Sequence, residues 1–130
     1  MLEEEILRKF HVIAVVGASP MPGRPSHTVF NYLHEHGYIV VPVNPLAEQV
    51  SGKKCYPDLS SVPEKVEVVD IFRRAEDVPS IVEEAIKIGA EVIWMQEGIT
   101  NEAAAARARD AGLLVVMDVC MKKEHQRIQS

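Results

Sequence analysis

Five short apolar runs, rich in β-branched residues, recur along the chain: Val12–Val16 (VIAVV), Tyr38–Val43 (YIVVPV), Glu67–Phe72 (EVVDIF), Glu91–Met95 (EVIWM) and Leu113–Met117 (LLVVM). They are too short for helices and carry few polar positions, which is how strands buried on both faces of a parallel sheet read. Pro42 is unusual inside a strand and is expected near that strand's end, where a ladder donor can be spared. Between the runs the spacing is helical. Residues 2–9 put Leu2, Ile6 and Phe10 on one side behind a first turn of acids. A helix over Ser26–His36 has Ser26 as its N-cap, a stripe of Val29, Phe30 and Leu33, and Gly37 as its C′ glycine. Asp77–Gly89 turns Ile81, Val82, Ala85 and Ile86 inward, and the alanine-rich Glu102–Ala111 is capped by Thr100 or Asn101 and ended by Gly112. Lys122–Arg127 reads as a final helical turn or a tail. Asn44–Glu67, with Pro45, Gly52, Pro57 and Pro63, is the least regular part; it has space for a short strand near Lys53–Tyr56 and a helical turn near Leu59–Val62.

Strands alternating with helices predict an α/β fold, with a five-stranded parallel sheet covered by helices on both faces. The expected strand order is 3-2-1-4-5, with the first strand at the switch point and a ligand at the carboxyl ends of strands 1, 2 and 4. The residues that do not fit a core cluster at those ends: Gly17, Ala18 and Ser19; Asn44 and Pro45; Phe72, Arg73 and Arg74; Gln96, Glu97 and Gly98; and Asp118–Cys120. The first of these groups carries the most chemistry. A buried strand stops on Gly17, passes through a loop of small residues and prolines, and enters a helix. Glycine lets backbone approach a ligand, and the first-turn N–H groups of a helix lack intrahelical partners, so the unit can hold a phosphate.

Length and charge narrow the class. A chain of 130 residues with 47% hydrophobic content reads as one domain, residues 1–130, with a single core. The net charge of −5 argues against nucleic acid or an anionic membrane as partner. No apolar run is long enough to span a bilayer, and MLEEEILRKF is too charged for a secretory signal. Cys55 and Cys120 form no CxxC, and read as reduced thiols of a cytoplasmic protein. His34 and His36 stand two apart on a helix, which excludes an i,i+4 metal pair, and with His125 they read as surface residues. His27, in the first turn after the loop, is the histidine nearest the expected phosphate site.

The loop is not a dinucleotide fingerprint. Ser19 stands where a second glycine would be, and the second strand ends in Asn44 rather than an acid. A neutral amide there tolerates a phosphorylated ribose, as in NADP or coenzyme A; the alternative reading of Asn44 is an Asx-turn before Pro45, and both can hold together. Arg24 lies in the loop itself, where a guanidinium can pair with a phosphate through two hydrogen bonds. Arg73 and Arg74 are adjacent, so one is expected to face the site and the other solvent. Trp94 reads as core rather than as a stacking platform.

GASPMPGRPS, PVNP, VDIFRR, the WMQEG run and Cys120, in this order over Phe10–Cys120, resemble the small stand-alone CoA-binding domain family. That family shares the CoA-binding Rossmann module of the succinyl-CoA synthetase α subunit. The resemblance implies a Rossmann-like domain holding coenzyme A: Gly17, Ala18, Ser19, Arg24, Pro25 and Ser26 at the phosphates, Asn44 and Pro45 bordering the adenosine, Phe72 and Arg73 flanking it. Gln96, Glu97 and Gly98 then line the pantetheine arm, and Cys120 stands where it can approach the CoA thiol and form a mixed disulfide. The family often has an arginine just before this cysteine; here Val119 stands there. No nucleophile–base–orienter set is recognisable. The reading is therefore a non-catalytic CoA carrier, sensor or regulatory module, with any homo-oligomer or partner enzyme left open. The alternative is an NADP- or CoA-using enzyme, or a subunit of an acyl-CoA ligase-type complex. On the first reading Gly17→Val is expected to abolish binding, by filling the ligand's space, while leaving the fold intact.

Overall fold

The computed structural model describes residues 1–129. Helix α1 (Leu2–Lys9) leads into strand β1 (Val12–Val16), followed by α2 (Pro25–Glu35) and β2 (Ile39–Val43). A hairpin of β3 (Gln49–Val50) and β4 (Lys53–Lys54) and a 3-10 turn at Leu59–Ser61 precede β5 (Val68–Ile71). After a second 3-10 turn at Ala75–Asp77 come α3 (Val78–Lys87), β6 (Val92–Met95), α4 (Glu102–Asp110), β7 (Leu114–Val116) and α5 (Met121–Gln129).

The five long strands form one parallel sheet in the order β2-β1-β5-β6-β7. Numbered as core strands this is 2-1-3-4-5, not the 3-2-1-4-5 expected from the sequence. Pro42 supplies the physical reason. Its carbonyl faces away from β1 and accepts the Tyr56 N–H at 3.0 Å, so its missing donor lies on that same outer side. A strand that lacks a donor there belongs at a sheet edge. The third core strand, β5, accordingly pairs with β1, and the switch point falls between β1 and β5. The outer edge of β2 is met by a single parallel bridge, Val43 to Tyr56.

Right-handed crossovers on either side of the switch point place α2 on one face and α3 and α4 on the other. Ile13 and Val15 of β1 and Val92 and Trp94 of β6 join α1, α2 and α5 through Leu7, Phe30, Leu33 and Met121. Ala14, Val16, Ile93 and Met95 pack on the opposite face against Val82 and Ala85 of α3 and Ala105 and Ala108 of α4. Trp94 is wholly buried, as a core residue, and its indole N–H donates to the Val119 carbonyl at 2.8 Å.

Three local expectations change. Arg24, not Ser26, is the residue before the first turn of α2, because Pro25 takes the first helical position with its φ preset and no donor to lose. The hairpin at Gln49–Lys54 was not expected; Ser51 and Gly52 both have positive φ, which is what its tight turn requires. His125 is not a surface residue: it is 6% exposed, and its Nδ1 lies 2.7 Å from the Tyr32 hydroxyl, which fastens α5 to α2. Burial and the neighbouring His36 hold its imidazole below the usual histidine range.

Candidate functional site

The site is built where β1 and β5 end side by side. The Gly17 N–H donates to the Val43 carbonyl at 2.8 Å and the Phe72 N–H to the Val16 carbonyl at 2.8 Å, so the three strand ends are held in register. Gly17 has φ +90°, and a Cβ there would stand 2.6 Å from the Phe72 carbonyl oxygen and 3.1 Å from Cδ of Arg73. The sharp turn and the close approach both require glycine.

The loop that follows folds on its own hydroxyls. The Ser26 hydroxyl accepts the Ser19 N–H at 3.0 Å, the Ser19 hydroxyl accepts the Met21 N–H at 3.1 Å, and His27 donates from Nδ1 to the Ser19 carbonyl at 3.0 Å. Asn44 ties this loop to the end of β2. Its amide donates to the Ala18 carbonyl at 2.8 Å while its oxygen accepts the Leu46 N–H at 2.9 Å, an Asx-turn. We therefore expect Asn44→Ala to lower stability by about 1–3 kcal/mol, since the carbonyl of the fully buried Ala18 loses its side-chain donor. Urea denaturation measures this, and an unchanged midpoint would mean the tie carries no load.

Together these elements wall a cavity of about 610 Å³, well within the range of small-molecule sites. Of the residues singled out in the sequence, Gly17, Ser19, Arg24, Pro25, Ser26, Phe72, Arg73, Arg74, Gln96, Glu97 and Cys120 line it. Pro45 lines a second, smaller cavity of about 210 Å³ that shares Gly17 and Arg73 with the first. Ala18, Asn44 and Gly98 line neither; Ala18 and Asn44 act through the ties just described, and the Gly98 N–H donates to Asp118 at 2.6 Å. Met21, Val29 and Ile99 complete the larger wall. All three are apolar positions that nothing in their local sequence separates from core or loop.

The charges are unevenly engaged. Arg73 is held by Asp77 at 3.3 Å, and Arg74 by Glu76 at 3.1 Å and Asp77 at 3.8 Å. Both arginines touch the cavity, but the Arg74 side chain is 77% exposed against 38% for Arg73, so Arg74 is the more solvated of the two. Arg24 carries no ion pair or side-chain hydrogen bond among the described residues.

The floor holds a feature the sequence reading passed over. Gln96, 3% exposed, donates from Nε2 to Oδ1 of Asp70 at 2.5 Å and accepts the Met121 N–H at 3.3 Å through Oε1. Asp70 lies in the central strand with no exposure, and its Oδ2 has no partner among the described residues. Burial pushes its carboxyl up to about 7, against a smaller lowering by the Gln96 hydrogen bond. The signal was present: an acid interrupts the apolar run VVDIF.

A glycine-turned parallel α/β unit with a basic cavity at its switch point is of the Rossmann-like class. The sequence profile described as CoA binding domain matches residues 11–126, and the chain belongs to that family. It is 38% identical over 122 residues to the uncharacterized protein YneT of Bacillus subtilis (strain 168), covering 94% of this chain and 90% of that one. A hypothetical protein from Pyrococcus horikoshii OT3 superposes with a TM-score of 0.96 at 47% identity, over 98% of this chain and 90% of that one. Acetate–CoA ligase (ADP-forming) I of Archaeoglobus fulgidus is 38% identical over 73 residues, which is 56% of this chain but 11% of the ligase. Among the described residues no helix is long and apolar enough to cross a membrane.

Proposed function

We propose that the chain binds coenzyme A or an acyl-CoA in the larger cavity and acts in the cytoplasm as a carrier, sensor or regulatory module without catalysing a reaction of its own. The observation that carries this reading is Arg24: a guanidinium without a side-chain partner, at the head of α2, beside a turn that only glycine can make. Membership of the CoA-binding family supports the choice of ligand. On this reading Gly17, Ser19, Arg24, Pro25 and Ser26 receive the phosphates, Phe72, Arg73 and Pro45 flank the adenosine, and Gln96 and Cys120 meet the pantetheine arm. Ala18, Asn44 and Gly98 serve it as supports.

Thermal unfolding with CoA, acetyl-CoA, 3′-dephospho-CoA, NADP and NAD tests the ligand. A ligand at 100 times its Kd adds about 2.7 kcal/mol and moves the midpoint by several degrees. A shift with CoA and its thioesters supports the reading; a shift with NADP alone replaces it with a reductase. Arg24→Ala is expected to weaken CoA binding by about 1.5–3 kcal/mol, the range of a charge-assisted contact. Unchanged affinity by calorimetry would remove the phosphates from this loop. The ligase relative favours a second reading, a subunit acting with a partner chain, which turnover on adding candidate partners would reveal.

A further inference from the structure

Asp70, Gln96 and Met121 form a buried chain from the central strand to the first residue of α5, and its middle member is part of the cavity wall. The amide of Gln96 can stand one way round. Its oxygen must face the Met121 N–H, which needs an acceptor, so its NH2 must face Asp70. Cys120, next to Met121 in the chain, lines the same cavity. Asp70 is thus the anchor of a wall it does not itself reach, and half of its carboxyl has no partner among the described residues. Packing alone does not call for an arrangement so costly to bury.

We propose that Asp70 is a positioning residue for the cavity floor, acting through Gln96 on Met121 and Cys120, and that it takes up a proton when an anionic ligand fills the cavity. The second half rests on the CoA reading above. On that reading the pantetheine arm lies over Gln96 and the phosphates lie at the Gly17 loop of the same cavity, so a carboxylate under the floor opposes the bound anion as a like charge at a distance, and the protonated form does not. The group lies where such coupling is felt at neutral pH, since burial already holds its ionisation near that range. Val15 of β1 and Trp94 of β6 flank it in register and carry no charge. Among the titratable groups on the elements packed over this face are His27 and Tyr32 of α2, His36 just after it, Glu4 and Arg8 of α1, Tyr38 before β2, Cys120 before α5 and His125 within it. None of these acts on Asp70; His27 is bonded to Ser19 and His125 to Tyr32.

Calorimetric titration of CoA into the full chain, at pH 7 in buffers of different ionisation enthalpy, measures the proton directly. The wild type is expected to take up roughly a quarter to a half of a proton per CoA more than Asp70→Asn, whose own exchange reports the phosphates of CoA. CoA binding with the same proton exchange in the wild type and Asp70→Asn overturns the coupling. In the ligand-free wild type, the 13Cγ resonance of Asp70, the side-chain amide of Gln96 and the backbone amide of Met121 are expected to titrate with one shared midpoint. Gln96 and Met121 resonances that ignore Asp70 overturn the positioning role, and this arm needs no variant to fold. Failure of CoA to bind at any pH would sink the ligand reading and the coupling with it, and the ligand-free titration would still decide the positioning role.

Discussion

Gly17→Ala is expected to lower the stability of the protein by about 2–4 kcal/mol and to weaken CoA binding at least tenfold, the sum of a strained φ and a contact that must shift. The added Cβ would stand 2.6 Å from the Phe72 carbonyl oxygen and 3.1 Å from its carbon, at a φ of +90°. Neither neighbour can give way cheaply. Gly17 is bonded to Val43 and Phe72 to Val16, so moving either backbone disturbs the ladder at the ends of β2, β1 and β5 together. This corrects the expectation that a side chain at this position fills the ligand's space and spares the fold: the first collision is with the protein's own backbone. Urea denaturation gives the stability change and calorimetry the affinity change. A variant with the wild-type midpoint would show that the turn has slack, and one that loses stability but keeps its affinity would move the ligand away from this turn.

What was legible in the chain follows from where the determinants lie. The strands and helices could be read because their signals are local: runs of β-branched residues, capping side chains, glycines that stop helices. Asn101 does accept the Ala104 N–H, at 2.9 Å, as its position before an alanine-rich helix led one to expect. The cluster of unusual residues at the strand ends was legible for the same reason, and the fold brings eight of them around one cavity. The strand order was not read correctly, although its determinant, Pro42, was in view; a missing donor was assigned to a strand's end when it belonged to a sheet's edge. His125 and Asp70 were missed for a different reason. Each is polar in an element whose pattern alone leaves its burial open, and its partner lies far along the chain: Tyr32 for the one, Gln96 for the other. Tertiary pairing of this kind has no local signature.

Asp70 also sets the largest expected dependence of stability on pH. Its carboxyl titrates near 7 in the folded protein, against an ordinary value of 3.8, because burial disfavours the charge. A raised folded value means that the folded state binds the proton more tightly than the unfolded state does. The stability this supplies is fully present below about pH 3.8, declines as pH rises, and is gone once pH has passed through about 7. The asparagine of Asp70→Asn keeps the shape, carries no charge at any pH, and is exempt from this decline. The difference in stability between variant and wild type is therefore expected to move in favour of the variant by roughly 3–4 kcal/mol between pH 4 and pH 8, at about 1.4 kcal/mol per unit of displacement. His125, whose value is lowered, has the opposite sign, its contribution being lost as pH falls, but it is common to both proteins and cancels in the difference so long as the two sites act independently. Urea midpoints of both proteins at unit steps of pH provide the test. A gap that stays flat across the range would mean that Asp70 titrates as an ordinary carboxyl, and that water or a shift of the strand already satisfies its second oxygen. A gap that widens as expected would identify a charge that the fold carries at a net loss above neutrality, and a loss of that size, one residue from the floor of the larger cavity, calls for a function to explain why it is kept.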